Sequence, residues 1–286
     1  LALALAPAVP AFSDVATVDS QWPQWRGPGG NGVAPHASPL IEWSEDRNIR
    51  WRVPVTGMGH ASPIVWGDRV YLLSAAESPS DPSVVEYLVL ALSRADGAVV
   101  WRRTAHAAPP REGAHDTNTR ASASPITDGK RIYASFGSEG LFCYDMDGTP
   151  LWDVDLGDME MLYAFGEGAS PALHGDRLVL PWDHEGASFV VALDAATGDE
   201  MWRQERDEAS SWTTPLIVEH NGRTQVVVNG TNMIRSYDLA DGSPIWQCSG
   251  MTRGAIPTPV YSDGVVYVMS GFQGAALVAV DLATAE

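Results

Sequence analysis

The residues able to do chemistry in this 286-residue chain are few, and most lack the spacing that chemistry demands. Seven histidines (His36, His60, His106, His115, His174, His184 and His220) include no HExxH pair and no cysteine-rich partner, so no structural zinc site is visible. Asp145-Met146-Asp147-Gly148 and Asp153-Val154-Asp155 lack the spaced ligand series ending in Glu that an EF-hand loop requires, and read as turns. The glycine-rich stretch from Arg26, RGPGGNG, has no Gly-Lys-Ser/Thr, and no G-x-S-x-G occurs, so nucleotide and serine hydrolysis are not indicated. What remains is a set of polar residues in loops that precede a recurrent Ser/Thr-Pro pair: GMGHASP with His60, HDTNTRASASP with His115, Asn118 and Arg120, FGEGASP with Glu167, ASSWTTP with Trp212 and MTRGAIPTP with Arg253. A constant frame with variable polar insertions is the pattern of a binding site grafted on repeats. His60, His115, Asn118, Arg120, Trp212 and Arg253 are therefore the ligand-contacting candidates, with no catalytic and no metal-ligating residue assigned. A polysaccharide lyase or glycosidase would recruit Glu167, His115 and Tyr163, but nothing in their spacing compels it.

The elements that must position these loops follow from self-similarity. The pairs Ser62-Pro63, Ser124-Pro125, Ser170-Pro171, Thr214-Pro215 and Thr258-Pro259 are spaced by 62, 46, 44 and 44 residues. Beyond each comes a turn pair that tolerates positive φ: Gly67-Asp68, Asp128-Gly129, Gly175-Asp176, Asn221-Gly222 and Asp263-Gly264. A short run rich in branched and aromatic residues follows (RVYLLSA, RIYASFG, RLVLPW, TQVVVNG, VVYVMSG), then a third such run, another turn, and a fourth run carrying a tryptophan. Each unit thus predicts a four-stranded antiparallel sheet. Sheets of this size bury their faces only by stacking on neighbours, and radial closure protects their edges, so the expected fold is all-β, a β-propeller of four-stranded blades.

The junctions ALSRADGAVVW, ALDAATGDEMW and SYDLADGSPIW, which end at Trp101, Trp202 and Trp246, share Gly at the seventh and Trp at the eleventh position; CYDMDGTPLW, ending at Trp152, is one residue shorter. They resemble the Ala-x-Asp-x-x-Thr-Gly-x-x-x-Trp docking motif of the pyrroloquinoline quinone (PQQ)-like repeat β-propeller family, which includes quinoprotein alcohol dehydrogenases and the propeller lipoprotein of the outer-membrane β-barrel assembly machinery. WPQWRGPGGNG from Trp22 and EWSEDRNIRWRVPV from Glu42 resemble the start of exported bacterial proteins of this family, of planctomycete type. The resemblance implies that Trp51, Trp101, Trp152, Trp202 and Trp246 are structural, each packing on a neighbouring blade's turn, and their once-per-blade recurrence agrees. It also implies seven or eight blades in the intact protein with about five present here, an incomplete C-terminus, and Trp51 in the outer strand of the closing blade. Quinoprotein members carry an adjacent cysteine disulfide and a calcium beside the quinone; the two cysteines here, Cys143 and Cys248, are neither adjacent nor in one blade, and read as small buried residues.

Basic residues number 18 against 36 acidic, a net charge of −18, which disfavours a nucleic-acid partner because phosphate neutralisation needs a basic face. The opening LALALAPAVP resembles the end of a secretory signal peptide, and no segment approaches the length of a membrane helix. Residues 1–20 are thus expected to be a remnant of signal peptide and linker, and 21–286 an incomplete PQQ-like propeller. The expected function is that of an exported, periplasmic or secreted, non-catalytic scaffold of the cell envelope that binds a protein, peptide or glycan at its rim. No cofactor is predicted; the alternative is a PQQ- and calcium-dependent oxidoreductase acting on an alcohol or sugar.

Overall fold

The computed structural model describes residues 21–285; the expected signal-peptide remnant, 1–20, lies outside them. Among the described residues there is no α-helix, and no helix long and apolar enough to cross a membrane. Nineteen strands form five antiparallel sheets in chain order. Blade 1 holds β1 (Ile64–Trp66), β2 (Arg69–Glu77), β3 (Val85–Ser93) and β4 (Val99–Ala108). Blade 2 holds β5 (Ile126–Thr127), β6 (Arg131–Ser135), β7 (Leu141–Asp145) and β8 (Pro150–Val154). Blade 3 holds β9 (Ala172–His174), β10 (Arg177–Trp182), β11 (Ser188–Asp194) and β12 (Glu200–Arg206). Blade 4 holds β13 (Leu216–His220), β14 (Arg223–Val228), β15 (Ile234–Asp238) and β16 (Pro244–Cys248), and blade 5 the three strands β17 (Val260–Ser262), β18 (Val265–Ser270) and β19 (Ala276–Asp281). This is a β-propeller of hairpin-linked blades, as the repeats predict.

The burial pattern shows why a blade cannot stand alone. In β3 and β11 six consecutive residues are buried, because a neighbour covers each face. Core clusters accordingly straddle blades: Tyr71, Val89 and Trp101 pack with Ile132, Ala134 and Tyr144, and Val179, Val190 and Trp202 with Val226 and Tyr237. In blade 5 only one face is covered: Val266 and Val268 are buried against blade 4, while Tyr267, Met269 and Leu277 are open.

Two devices fasten blade to blade. Around the axis, three of the five Ser/Thr-Pro hydroxyls accept a backbone hydrogen bond from the preceding blade: Ser62 N donates to Ser124 Oγ (2.9 Å), Ser124 N to Ser170 Oγ (2.9 Å) and Ser170 N to Thr214 Oγ1 (3.1 Å). Proline leaves no N–H to satisfy at the next position, so one hydroxyl completes each of these seams.

At the periphery four of the five tryptophans lie on the next blade's turn glycine: a Cβ placed on Gly97, Gly148, Gly198 or Gly242 would come within 2.6–2.8 Å of the ring of Trp51, Trp101, Trp152 or Trp202. Trp51, Trp101 and Trp202 also donate Nε1 to a carbonyl of that turn, those of Arg94, Met146 and Leu239. Trp246 instead donates to Gln225 Oε1 of its own blade. Trp51 was expected in an outer strand; it docks on Gly97 but lies in no strand, because its segment pairs with no strand among the described residues.

Opposite four of these tryptophans the register holds a small residue, Ala91, Cys143, Ala192 and Ser236, and each is followed by a bulge. Cys143 therefore fills a small-residue position, its thiol pushed up to about 12 by burial, and both cysteines are free.

Candidate functional site

The N-terminal segment makes the first contribution to the axis. Trp22 pairs with Val65 through two backbone hydrogen bonds (2.9 and 2.8 Å), and Pro23 O accepts from Thr127 N (2.9 Å). This anchorage on blades 1 and 2 sends Trp25 across to blade 5, where its Nε1 donates to Thr258 Oγ1 at 3.3 Å.

Beside Trp25 opens a basin of about 510 Å³. Its walls combine aromatic and apolar residues (Trp25, Phe165, Trp212, Ile256, Phe272) with His60, His115, Asn118 and the seam hydroxyls of Ser124, Ser170, Thr214 and Thr258. Phe165 is the hub. It meets His115 (centroids 5.1 Å apart, 82°), Tyr163 (5.5 Å, 64°), Phe272 (6.0 Å, 87°) and Trp212 (6.4 Å, 39°).

The loop carrying Phe165 is held in a costly conformation. Tyr163 and Ala164 both have left-handed backbone (φ 54° and 53°), which for non-glycine residues costs on the order of 1–3 kcal/mol each. Contacts from the two flanking loops, between β4 and β5 and between β12 and β13, hold it there. Glu112 Oε1 accepts from Met161 N (2.7 Å), and Ser210 Oγ accepts from Leu162 N (2.9 Å). Asn118 Nδ2 donates to the carbonyls of Phe165 (2.8 Å) and Glu167 (3.1 Å), and Trp212 Nε1 donates to Gly166 O (2.6 Å). The aromatic hub is thus pre-set before any ligand arrives.

Behind this wall lies a second, small cavity of about 60 Å³, lined by Glu112, Glu139, Glu167, Arg111, Arg120 and Tyr87 among others. Glu167 separates the two spaces. Its carboxylate accepts from Ser138 N (2.9 Å) and from the Ser138 hydroxyl, and it fits only because Gly137 has no side chain: a Cβ there would fall 1.1 Å from Glu167 Oε2. Burial raises the Glu167 carboxyl to about 7 despite these bonds, with a smaller upward push from Glu112 and Glu139. Glu112 Oε2 and Glu139 Oε2 are buried without a hydrogen-bond partner, although His106 Nε2 approaches Glu139 Oε2 at 3.5 Å.

Of the six candidates, His60, His115, Asn118 and Trp212 share the basin. Arg120 does not: it lines the small cavity, its Nη1 donating to Glu112 O (2.6 Å). Arg253 pairs with Glu185 at 3.5 Å, outside the basin lining. Asn118 Nδ2 and Trp212 Nε1 are spent on the hub loop, so both residues act on its shape, while Asn118 Oδ1 accepts from Thr119 N and Ser122 Oγ of its own loop. The sequence reading missed Trp25, Phe165, Ile256 and Phe272. Phe165 lies in a loop already singled out for Glu167, two residues on. Phe272 sits in the β18–β19 turn, a second set of loops at the same end, as the Arg253–Gln273 bridge shows.

The family model described as outer membrane protein assembly factor BamB matches residues 33–146 and 143–286. Solved structures share the fold at low identity: BamB from Moraxella catarrhalis (18% identity, TM-score 0.53, 81% of this chain and 61% of that one) and a quinohemoprotein alcohol dehydrogenase from Pseudomonas putida (16%, TM-score 0.58, 94% and 48%). A europium-containing methanol dehydrogenase is similar too (14%, TM-score 0.58, 94% and 58%). The chain spans about half to three fifths of the length of these structures. A search of curated proteins found no match. Two adjoining matches together span most of the sequence, over blades whose seam and docking tryptophans repeat in register, and on that ground the chain belongs to the PQQ-like repeat β-propeller family of the outer membrane protein assembly factor BamB type.

Proposed function

We propose that this chain is an interaction scaffold of the bacterial cell envelope, periplasmic or secreted, that binds a protein segment in the basin at the mouth of its axis. The observation that carries this reading is the state of the basin's polar groups. Asn118 Nδ2 and the Nε1 atoms of Trp212 and Trp25 are engaged within the chain, so the surface left to a ligand is aromatic faces, hydroxyls and the imidazoles of His60 and His115. A glycan needs several unpaired donors and acceptors at once; a peptide side chain needs one shaped apolar recess. The family's description as an outer membrane protein assembly factor supports an envelope setting and a protein partner.

The quinoprotein alternative meets a chemical mismatch in the described residues. PQQ carries three carboxyl groups, and no Lys or Arg lines the basin. Among the described residues no group of three or more His, Cys, Asp or Glu is arranged to hold a metal ion.

Photo-crosslinking from the basin tests the scaffold reading. With p-benzoylphenylalanine in place of Phe272, the protein is expected to form a discrete adduct with an envelope protein in cells, and not to form it with the same group in place of Thr197 on an outer turn. Saturable one-to-one binding of PQQ with calcium, read by quinone absorbance, would overturn the reading.

A further inference from the structure

The charge of the basin's occupant is written in what its walls lack. Aromatic rings carry negative potential on their faces and attract a cation set over them. Where this chain has cations near rings it uses them: Arg103 lies over Trp101 (5.7 Å), Arg203 over Phe189 (3.8 Å) and Arg206 over Tyr237 (6.0 Å), all on the blades. The basin lining has Trp25, Phe165, Trp212 and Phe272 but neither Lys nor Arg. Phe165 and Phe272 stand at 87° to each other, so the space they both line meets aromatic surface from two directions.

The wall itself adds no cation: its carboxyl is Glu167, and in the cavity behind it Glu112 and Glu139 are balanced by Arg111 and Arg120, Arg111 approaching Glu139 at 3.9 Å. Each of those two glutamates keeps one buried oxygen without a hydrogen bond. The whole chain carries a net charge of −18, which draws cations toward it over longer range. Two exposed apolar side chains adjoin the basin, Ile256 in its lining and Tyr163 packed on Phe165.

We propose that the basin takes the cationic side chain, arginine or lysine, of a basic peptide segment in the partner protein, seating it over the Phe165–Phe272–Trp25–Trp212 rings. The proposal rests on the scaffold reading above and names the chemistry its site selects. It also accounts for the mismatch with a tricarboxylate cofactor, since the same walls that favour a cation repel an anion.

The test uses short acetylated peptides that are identical except at a central residue, arginine, citrulline, phenylalanine or glutamate, titrated into the full chain by calorimetry. Citrulline keeps the shape and planarity of arginine and removes its charge. The arginine peptide is expected to bind at least about tenfold more tightly than the citrulline and glutamate peptides. Phe272→Ala and Trp25→Ala, both at partly exposed positions, are expected to weaken the arginine peptide about five- to tenfold with an unchanged melting temperature. Equal binding of citrulline and arginine, or tighter binding of phenylalanine, would overturn the cation proposal and leave an apolar peptide site standing. Absence of binding by every peptide, with the Phe272 crosslink intact, would also refute it while sparing the scaffold. Loss of both would refute the two together.

Discussion

At the scale of single residues, Glu167 is the group whose ionisation has a price in stability. Its folded value, about 7, stands above the 4.5 of an ordinary glutamate, and the cause is chiefly burial. Between these values the native state keeps a proton that the unfolded chain has released, so stability is highest below about pH 4.5 with respect to this group and falls as pH rises toward 7. Wild-type protein is therefore expected to lose on the order of 1–3 kcal/mol between pH 5 and 8 through this carboxyl, measured by urea unfolding. Glu167→Gln, which keeps an acceptor for Ser138, should flatten that slope. An unchanged slope in the variant would show that the carboxyl ionises normally in the fold. The residue was legible as a polar insertion in its loop. Its burial was not, because Gly137 and Ser138, which make its niche, lie 30 and 29 residues earlier in the neighbouring blade.

Among the elements, the blade-to-blade contact is where sequence and structure agree most closely, since the motif pairs a glycine and a tryptophan at fixed spacing in each of the four complete units. Gly242 has φ 75°, and a Cβ there would meet the Trp202 ring at 2.6 Å. Gly175 has φ 59° but open space around its Cβ. Gly242→Ala is expected to cost about 2–5 kcal/mol, combining left-handed strain with overpacking, and Gly175→Ala only about 1–2 kcal/mol. Equilibrium denaturation of the two variants checks this, and equal losses would mean that the indole stacking does not depend on close approach. The same motif explains the small residue opposite each tryptophan and hence why one repeat could use Cys143. By contrast the hub loop, with Tyr163 and Ala164 in left-handed backbone, follows no repeat, so nothing periodic announced it.

For the whole molecule the dominant fact is charge. Thirty-six acidic side chains against 18 basic ones repel one another in the compact state, and several ion pairs, such as Arg47–Glu42 and Arg52–Glu45, are too exposed to offset this. Raising NaCl from 20 to 500 mM shortens the screening length to well under the molecule's width and is expected to raise the melting temperature by a few degrees. A decrease would mean that local ion pairs outweigh the net field.

The propeller was written in the repeats, because each encodes its own hairpins and its Ser/Thr-Pro hydroxyl, and the four complete ones a docking pair, over distances of one blade. The site arises from the folding of the blades. The basin joins Trp25 to Thr258, 233 residues apart, and brings Phe165 and Phe272 from different kinds of loop onto one axis. Arranging blades around an axis converts residues with no relation in sequence into neighbours, and aromatic side chains that look like scattered loop residues become a single surface only when that geometry is in place.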